Sequence, residues 1–158
     1  MKLDKVLVPL DGSTLAEVAM WKAGEMANGG TVSLLRAAEA HTLPGADPVD
    51  AQVTAVREAE EYLASALKRL EQQGVKNLET HVWYGPPAAA IVEAAAVQKV
   101  DLIVMSTHGR SGLGRLILGS VAESVLRGTR TPILVIRADS APVEPQVGAK
   151  PAKETARV

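Results

Sequence analysis

The chain of 158 residues contains no cysteine and no phenylalanine. Without cysteine there can be no disulfide, thiolate metal site, thiol redox chemistry or cysteine nucleophile. Aromatic residues are 3% of the chain, too few for a platform on which nucleic-acid bases stack. Neither sign of charge dominates, with 17 Lys and Arg against 18 Asp and Glu, so the basic footprint of a nucleic-acid binder is missing. No apolar run approaches the ~20 residues that cross a bilayer. The opening, Met1-Lys2-Leu3-Asp4-Lys5, is charged and leads directly into a strand pattern, unlike a secretory leader. The expectation is a single soluble domain in the cytoplasm, with no nucleic-acid or membrane partner.

What is present is an alternation of short apolar runs and helical periods. Val6-Leu7-Val8-Pro9-Leu10 predicts a buried strand, with Pro9 at its end because it lacks an amide donor. Asp11-Gly12-Ser13 is a turn. For the helix that follows, Thr14 and Glu17 have capping-box spacing, and Ser13 is the alternative cap. The helix runs to about Ala27 and stops at Asn28-Gly29-Gly30. Val32 to Ala37 is a second strand, and Thr42 to Pro48 a loop. A long helix then places Val49, Val53, Val56, Leu63, Ala66, Leu67 and Leu70 on one face, with Glu58, Glu60, Glu61, Lys68, Arg69 and Glu71 mostly solvated. Gly74 ends it. Leu78 to Trp83 alternates as a strand should. Gly85-Pro86-Pro87 opens a third helix, which runs to Gln98.

Val100 to Met105 is the most apolar strand and reads as central. A glycine-rich stretch, Ser106 to Ser120, leads into a short helix, Val121 to Arg127. Pro132 to Arg137 is the last strand. Strands alternating with helices predict an α/β fold, a parallel sheet covered on both faces. Such open sheets bind ligands beyond the carboxyl ends of their strands. From Ala138 to Val158 the chain has Pro142, Pro145 and Pro151 and no bulky apolar residue beyond valine, and reads as a disordered tail.

The segment that carries chemistry is Ser106-Thr107-His108-Gly109-Arg110-Ser111-Gly112-Leu113-Gly114-Arg115-Leu116-Ile117-Leu118-Gly119-Ser120-Val121. It follows a strand and opens a helix. Its glycines let backbone amides approach an anion, and the helix start adds unpaired amides and a favourable dipole. Arg110 and Arg115 can add charge, and Ser120 a hydroxyl. Gly114 to Gly119 has P-loop spacing, but Ser120 follows without the lysine. Gly112-Leu113-Gly114 begins like a dinucleotide fingerprint, but Ile117 holds the third glycine position.

The arrangement resembles the universal stress protein family, whose ATP-binding signature is G-x-x-G, nine residues, then G-[ST]. Gly109, Gly119 and Ser120 fit that spacing. Ser106 stands at the first glycine position, where a positive φ would strain a serine. Val6 to Ser13, Gly85 to Ile91, Asp101 to Met105 and Pro132 to Ile136 also resemble family segments, so the likeness covers residues 1–137. It implies a Rossmann-like, open five-stranded parallel sheet in order 3-2-1-4-5.

It further implies ATP, with Mg²⁺, as ligand. Pro9 and Asp11 would lie near the nucleotide at the end of the first strand. Arg36 and Ala37 would line the adenine pocket through their backbone. Met105, Ser106, His108, Gly109, Arg110, Gly112, Gly119, Ser120 and Val121 would line ribose and phosphates. The resemblance implies a homodimer through the last strand, Ile133, Leu134, Val135 and Ile136, whose apolar edge invites a partner.

No catalytic residue emerges. His41 and His81 are dispersed without metal-ligand spacing, and Trp21, Trp83, Met20 and Met26 read as packing. Paired carboxylates and a catalytic triad are missing, so any ATP hydrolysis should be slow. The implied role is stress sensing or regulation. The alternative is a dimeric signalling module that binds no nucleotide and acts through protein partners. An adenylyl transferase or ATP pyrophosphatase is disfavoured, because neither H-x-G-H nor S-G-G-x-D-S occurs.

Overall fold

The computed structural model describes residues 2–108 and 118–138. In chain order the elements are β1 (Lys5–Pro9), α1 (Thr14–Ala27), β2 (Thr31–Ala38), α2 (Pro48–Gln72), β3 (Leu78–Tyr84), α3 (Pro87–Gln98), β4 (Leu102–His108), α4 (Ser120–Gly128) and β5 (Ile133–Ala138). The strands form one parallel sheet in the order β3-β2-β1-β4-β5, the expected fold. The C-terminal segment expected as a tail lies, apart from Ala138, outside the described residues.

Alternate residues of a strand face opposite sides of the sheet, and both sides here are apolar. Val6, Val8, Leu34 and Val104 pack with Met20 of α1 and Leu63 and Leu70 of α2. Leu7, Leu35, Ile103 and Met105 pack with Ile91 of α3 and Val125 of α4. Burial of each large side chain of this kind contributes about 1.5–3 kcal/mol.

Three local readings of the sequence change. Ser13 is the cap of α1: its hydroxyl accepts from the Ala16 amide at 3.1 Å. Thr14 is therefore already helical, and Glu17 is free for a tertiary contact. In α2, Leu63, Ala66 and Leu70 are buried together with Ala59, but Val49 and Val53 are 66% and 61% exposed. The cause is length. The 25 residues of α2 span about 37 Å, whereas the eight of β2 span about 26 Å. The first turns of α2 therefore overhang the carboxyl end of the sheet.

The third change is in β4, which begins later and runs further than its apolar run suggests. Asp101 precedes it, and its carboxylate accepts from the Asp4 and Lys5 amides at 2.8 and 2.9 Å. Beyond Met105 the ladder continues, pairing Ser106 with Ile136 and Thr107 with Arg137. Ser106 is thus a strand residue rather than the first residue of a loop.

Candidate functional site

From β1 the chain winds to β2 and β3 on one side, then returns to β4 and β5 on the other. Where the winding reverses, the connections after β1 and β4 diverge and leave a crevice at the carboxyl ends of the strands. Here it is a cleft of about 730 Å³, within the ordinary size of a small-molecule site.

Each wall comes from a separate element. The end of β1 and its turn supply Pro9, Leu10, Asp11 and Ser13. The end of β2 supplies Arg36 and Ala37, followed by Glu39 and His41. The end of β4 supplies Met105, Ser106 and Thr107, and the start of α4 supplies Gly119, Ser120 and Val121. The overhang of α2 adds Ala55 and Glu58, while Pro87 and Ile91 come from α3. The structure thus brings together Pro9, Asp11, Arg36, Ala37, Met105, Ser106, Gly119, Ser120 and Val121. The β4 ladder carries the backbone of His108. The expected site residues Gly109, Arg110 and Gly112 lie outside the described residues.

Among the described residues, two features of the cleft lining lack internal partners. Gly119 is the N-cap of α4, at φ −60° and ψ 155°, and as a glycine it has no side chain with which to cap the helix. The first amides of α4 are therefore left for another acceptor; the Glu123 amide is the one that returns to the Gly119 carbonyl, at 2.9 Å. Thr107, also in the cleft lining, is 4% exposed and its hydroxyl is buried without a hydrogen-bond partner. A buried, unpaired hydroxyl is unfavourable by about 1–3 kcal/mol.

The opposite wall is ordered by polar contacts. The Ser13 amide donates to Asp11 Oδ1 at 2.8 Å, closing the turn after β1. Below it, Arg69 donates to Glu17 through both terminal nitrogens, at 2.7 and 2.8 Å, and the Tyr62 hydroxyl donates to Glu17 at 2.9 Å. Arg69, expected to be solvated, is instead tied to α1. Burial, then the neighbouring Glu17 carboxylate, pushes the Tyr62 phenol well up from its ordinary value.

Sequence reasoning missed Thr107, Ala55 and Glu58. Thr107 was passed over because β4 was expected to end before it. Ala55 and Glu58 join the cleft through the overhang of α2, a length effect without a local motif. Among the described residues, no three His, Asp or Glu side chains gather to hold a metal.

The comparisons agree with this fold. The sequence pattern of the universal stress protein family matches residues 2–137. A universal stress protein of Methanocaldococcus jannaschii is 46% identical over 80 residues, which are 51% of this chain and 46% of that protein, so the chain matches about half of that relative. A putative universal stress protein of Staphylococcus saprophyticus is 32% identical over 151 residues, covering 90% of this chain and 89% of that one.

Among solved structures, a universal stress protein in complex with cAMP matches with a TM-score of 0.68 at 25% identity, over 86% of this chain and 98% of the other. One from Archaeoglobus fulgidus in complex with dAMP matches with a TM-score of 0.63 at 25% identity, over 86% and 99%. Fold and cleft define an open, doubly wound α/β domain with a crevice at its switch point. Within that class, the chain belongs to the universal stress protein family.

Proposed function

We propose that the chain binds ATP with Mg²⁺ in the cleft and serves as a cytoplasmic, homodimeric regulatory domain of the stress response, formed by residues 1–137 and followed by a tail. The observation that carries this reading is the conjunction, in one cleft lining, of the uncapped α4 N-terminus and the unpaired Thr107 hydroxyl. Backbone amides at a helix start suit a phosphate, and a buried hydroxyl in the same lining suits one of its oxygens. Two structural neighbours are complexes with adenine nucleotides, which supports the same ligand class here.

In this reading Asp11 accepts from ribose hydroxyls. The backbone of Arg36 and Ala37 meets the adenine edge. Ser106, Thr107, Ser120 and the amides from Gly119 to Val121 take the phosphates, joined by His108, Gly109, Arg110 and Gly112. Mg²⁺ would supply charge neutralisation on the phosphate oxygens. These residues bind and orient, and none is assigned to chemistry, so the role is nucleotide sensing rather than rapid turnover. The open edge of β5, from Ile133 to Ile136, would pair with a second copy.

Gly119→Val tests the site. A Cβ built at Gly119 meets no protein atom within 4 Å, and its φ of −60° suits any side chain. The variant should therefore fold while placing bulk in the cleft. Calorimetric titration should show ATP affinity reduced by at least about tenfold, with an unchanged melting temperature. Equal affinity in both proteins would remove this site. Failure of the parent chain to bind ATP would leave the partner-binding alternative.

A further inference from the structure

Arg36 lines the cleft, and its side chain shares a sheet face with Leu34, the face covered by α1 and α2. Its Cζ lies 4.8 Å from the centroid of the Tyr62 ring. The guanidinium also presses on the turn after β1. A Cβ at Gly12 would fall 2.5 Å from Nη1 and 3.3 Å from Cζ. Gly12 has φ +87°, so glycine serves twice here: it permits the turn and admits the guanidinium. The cation is held between an aromatic face, which attracts it, and bare backbone.

The Tyr62 ring packs against the core between α1 and α2, and its hydroxyl donates to Glu17, which also accepts from Arg69. A chain of contacts therefore runs from the α1–α2 ion pair through Tyr62 and Arg36 to Gly12. Next to Gly12 stands Asp11, whose Oδ1 is engaged by the Ser13 amide; its second oxygen remains for a ligand.

We propose that Arg36 is a positioning residue that clamps the Asp11-Gly12-Ser13 turn against Tyr62 and so fixes the Asp11 carboxylate for the nucleotide's ribose. Its functional consequence rests on the nucleotide reading above, whereas the clamp itself does not. The rival role for a cation at a cleft wall is direct contact with phosphate.

Two readouts on Arg36→Met, Tyr62→Leu and Tyr62→Phe decide between them. The first is hydrogen exchange of the Ser13 amide in the free protein. Arg36→Met and Tyr62→Leu should each speed it by about tenfold by loosening the turn, and Tyr62→Phe, which keeps the ring, should leave it near the parent rate. The second is titration with Mg²⁺-ATP and with inorganic tripolyphosphate. The first two variants should weaken ATP by about tenfold and change tripolyphosphate by less than about twofold. Equal loss of both ligands would make Arg36 a phosphate ligand and overturn the proposal. Unchanged Ser13 exchange in Arg36→Met would overturn it too. If the parent chain bound no ATP, the nucleotide reading would fall alone, and the exchange rates would still judge the clamp.

Discussion

Glu17 of α1 and Arg69 of α2 form a two-point ion pair, with Nη1 to Oε2 at 2.7 Å and Nη2 to Oε1 at 2.8 Å. It joins the two helices that cover one face of the sheet beneath the cleft. The side chains are 8% and 27% exposed, so the pair is largely shielded from solvent. Burial opposes ionisation of Glu17, but hydrogen bonds from Arg69 and Tyr62 and the Arg69 charge outweigh it. They hold the carboxyl below its usual range.

A lowered folded pKa stabilises the protein above the unfolded value of 4.5, and that stability is lost as pH falls through the folded value. Glu17→Gln should therefore be destabilising at neutral pH by about 2–3 kcal/mol, less than for a fully buried pair because Arg69 reaches solvent. The difference from the parent chain should shrink below about pH 4. Urea unfolding at pH 7 and pH 3 measures it; an equal loss at both would show that the ion pair is not the cause.

Thr107→Val removes a hydroxyl that has no partner at nearly constant volume. The free protein should keep its stability or gain about 1 kcal/mol, while ATP binding weakens by about five- to tenfold. Thermal melting and titration separate the two effects. Unaltered affinity would take Thr107 out of the site.

Ser106 occupies the first glycine position of the nucleotide signature, but its backbone is part of β4, paired with Ile136. The described non-glycine residues with positive φ are Asn28 and Lys99, so the serine is unstrained. Ser106→Gly should change ATP affinity by less than about threefold. A gain well beyond that, measured by titration, would mean that the serine obstructs the ligand.

The Ile103 amide donates to the Pro132 carbonyl at 2.9 Å. Backbone groups alternate sides along a parallel strand, so Ile133 and Val135 turn theirs to the open edge of β5. Pairing with a second copy should protect these two amides from exchange as protein concentration rises, in step with dimerisation seen by sedimentation. Rapid exchange of both in a dimeric sample would place the interface elsewhere.

Periodicity and the family resemblance made the sheet order legible, since buried strands alternating with helices leave few topologies. The family resemblance put Pro9, Asp11 and Arg36 at the cleft, whereas Gly119 was legible from the helix start that its glycine-rich segment opens. Contacts set by distant segments could not be read. Glu17 looked like half of a capping box until Ser13 took the cap, and Arg69 looked solvated because its partner lies on another helix. Glu58 is exposed as expected, but that it lines the cleft could not be read, because nothing in the sequence states how far α2 outruns the sheet. Thr107 was hidden by the end of the apolar run at Met105, whereas β5 carries the ladder past it.

The most direct measurement is to denature the purified protein, assay the supernatant for released nucleotide, and titrate the stripped, refolded chain with ATP and Mg²⁺. Saturable binding of a single ATP per chain is expected, lost in Gly119→Val. No carried nucleotide and no saturable binding would contradict the assignment of the cleft and turn the search to protein partners.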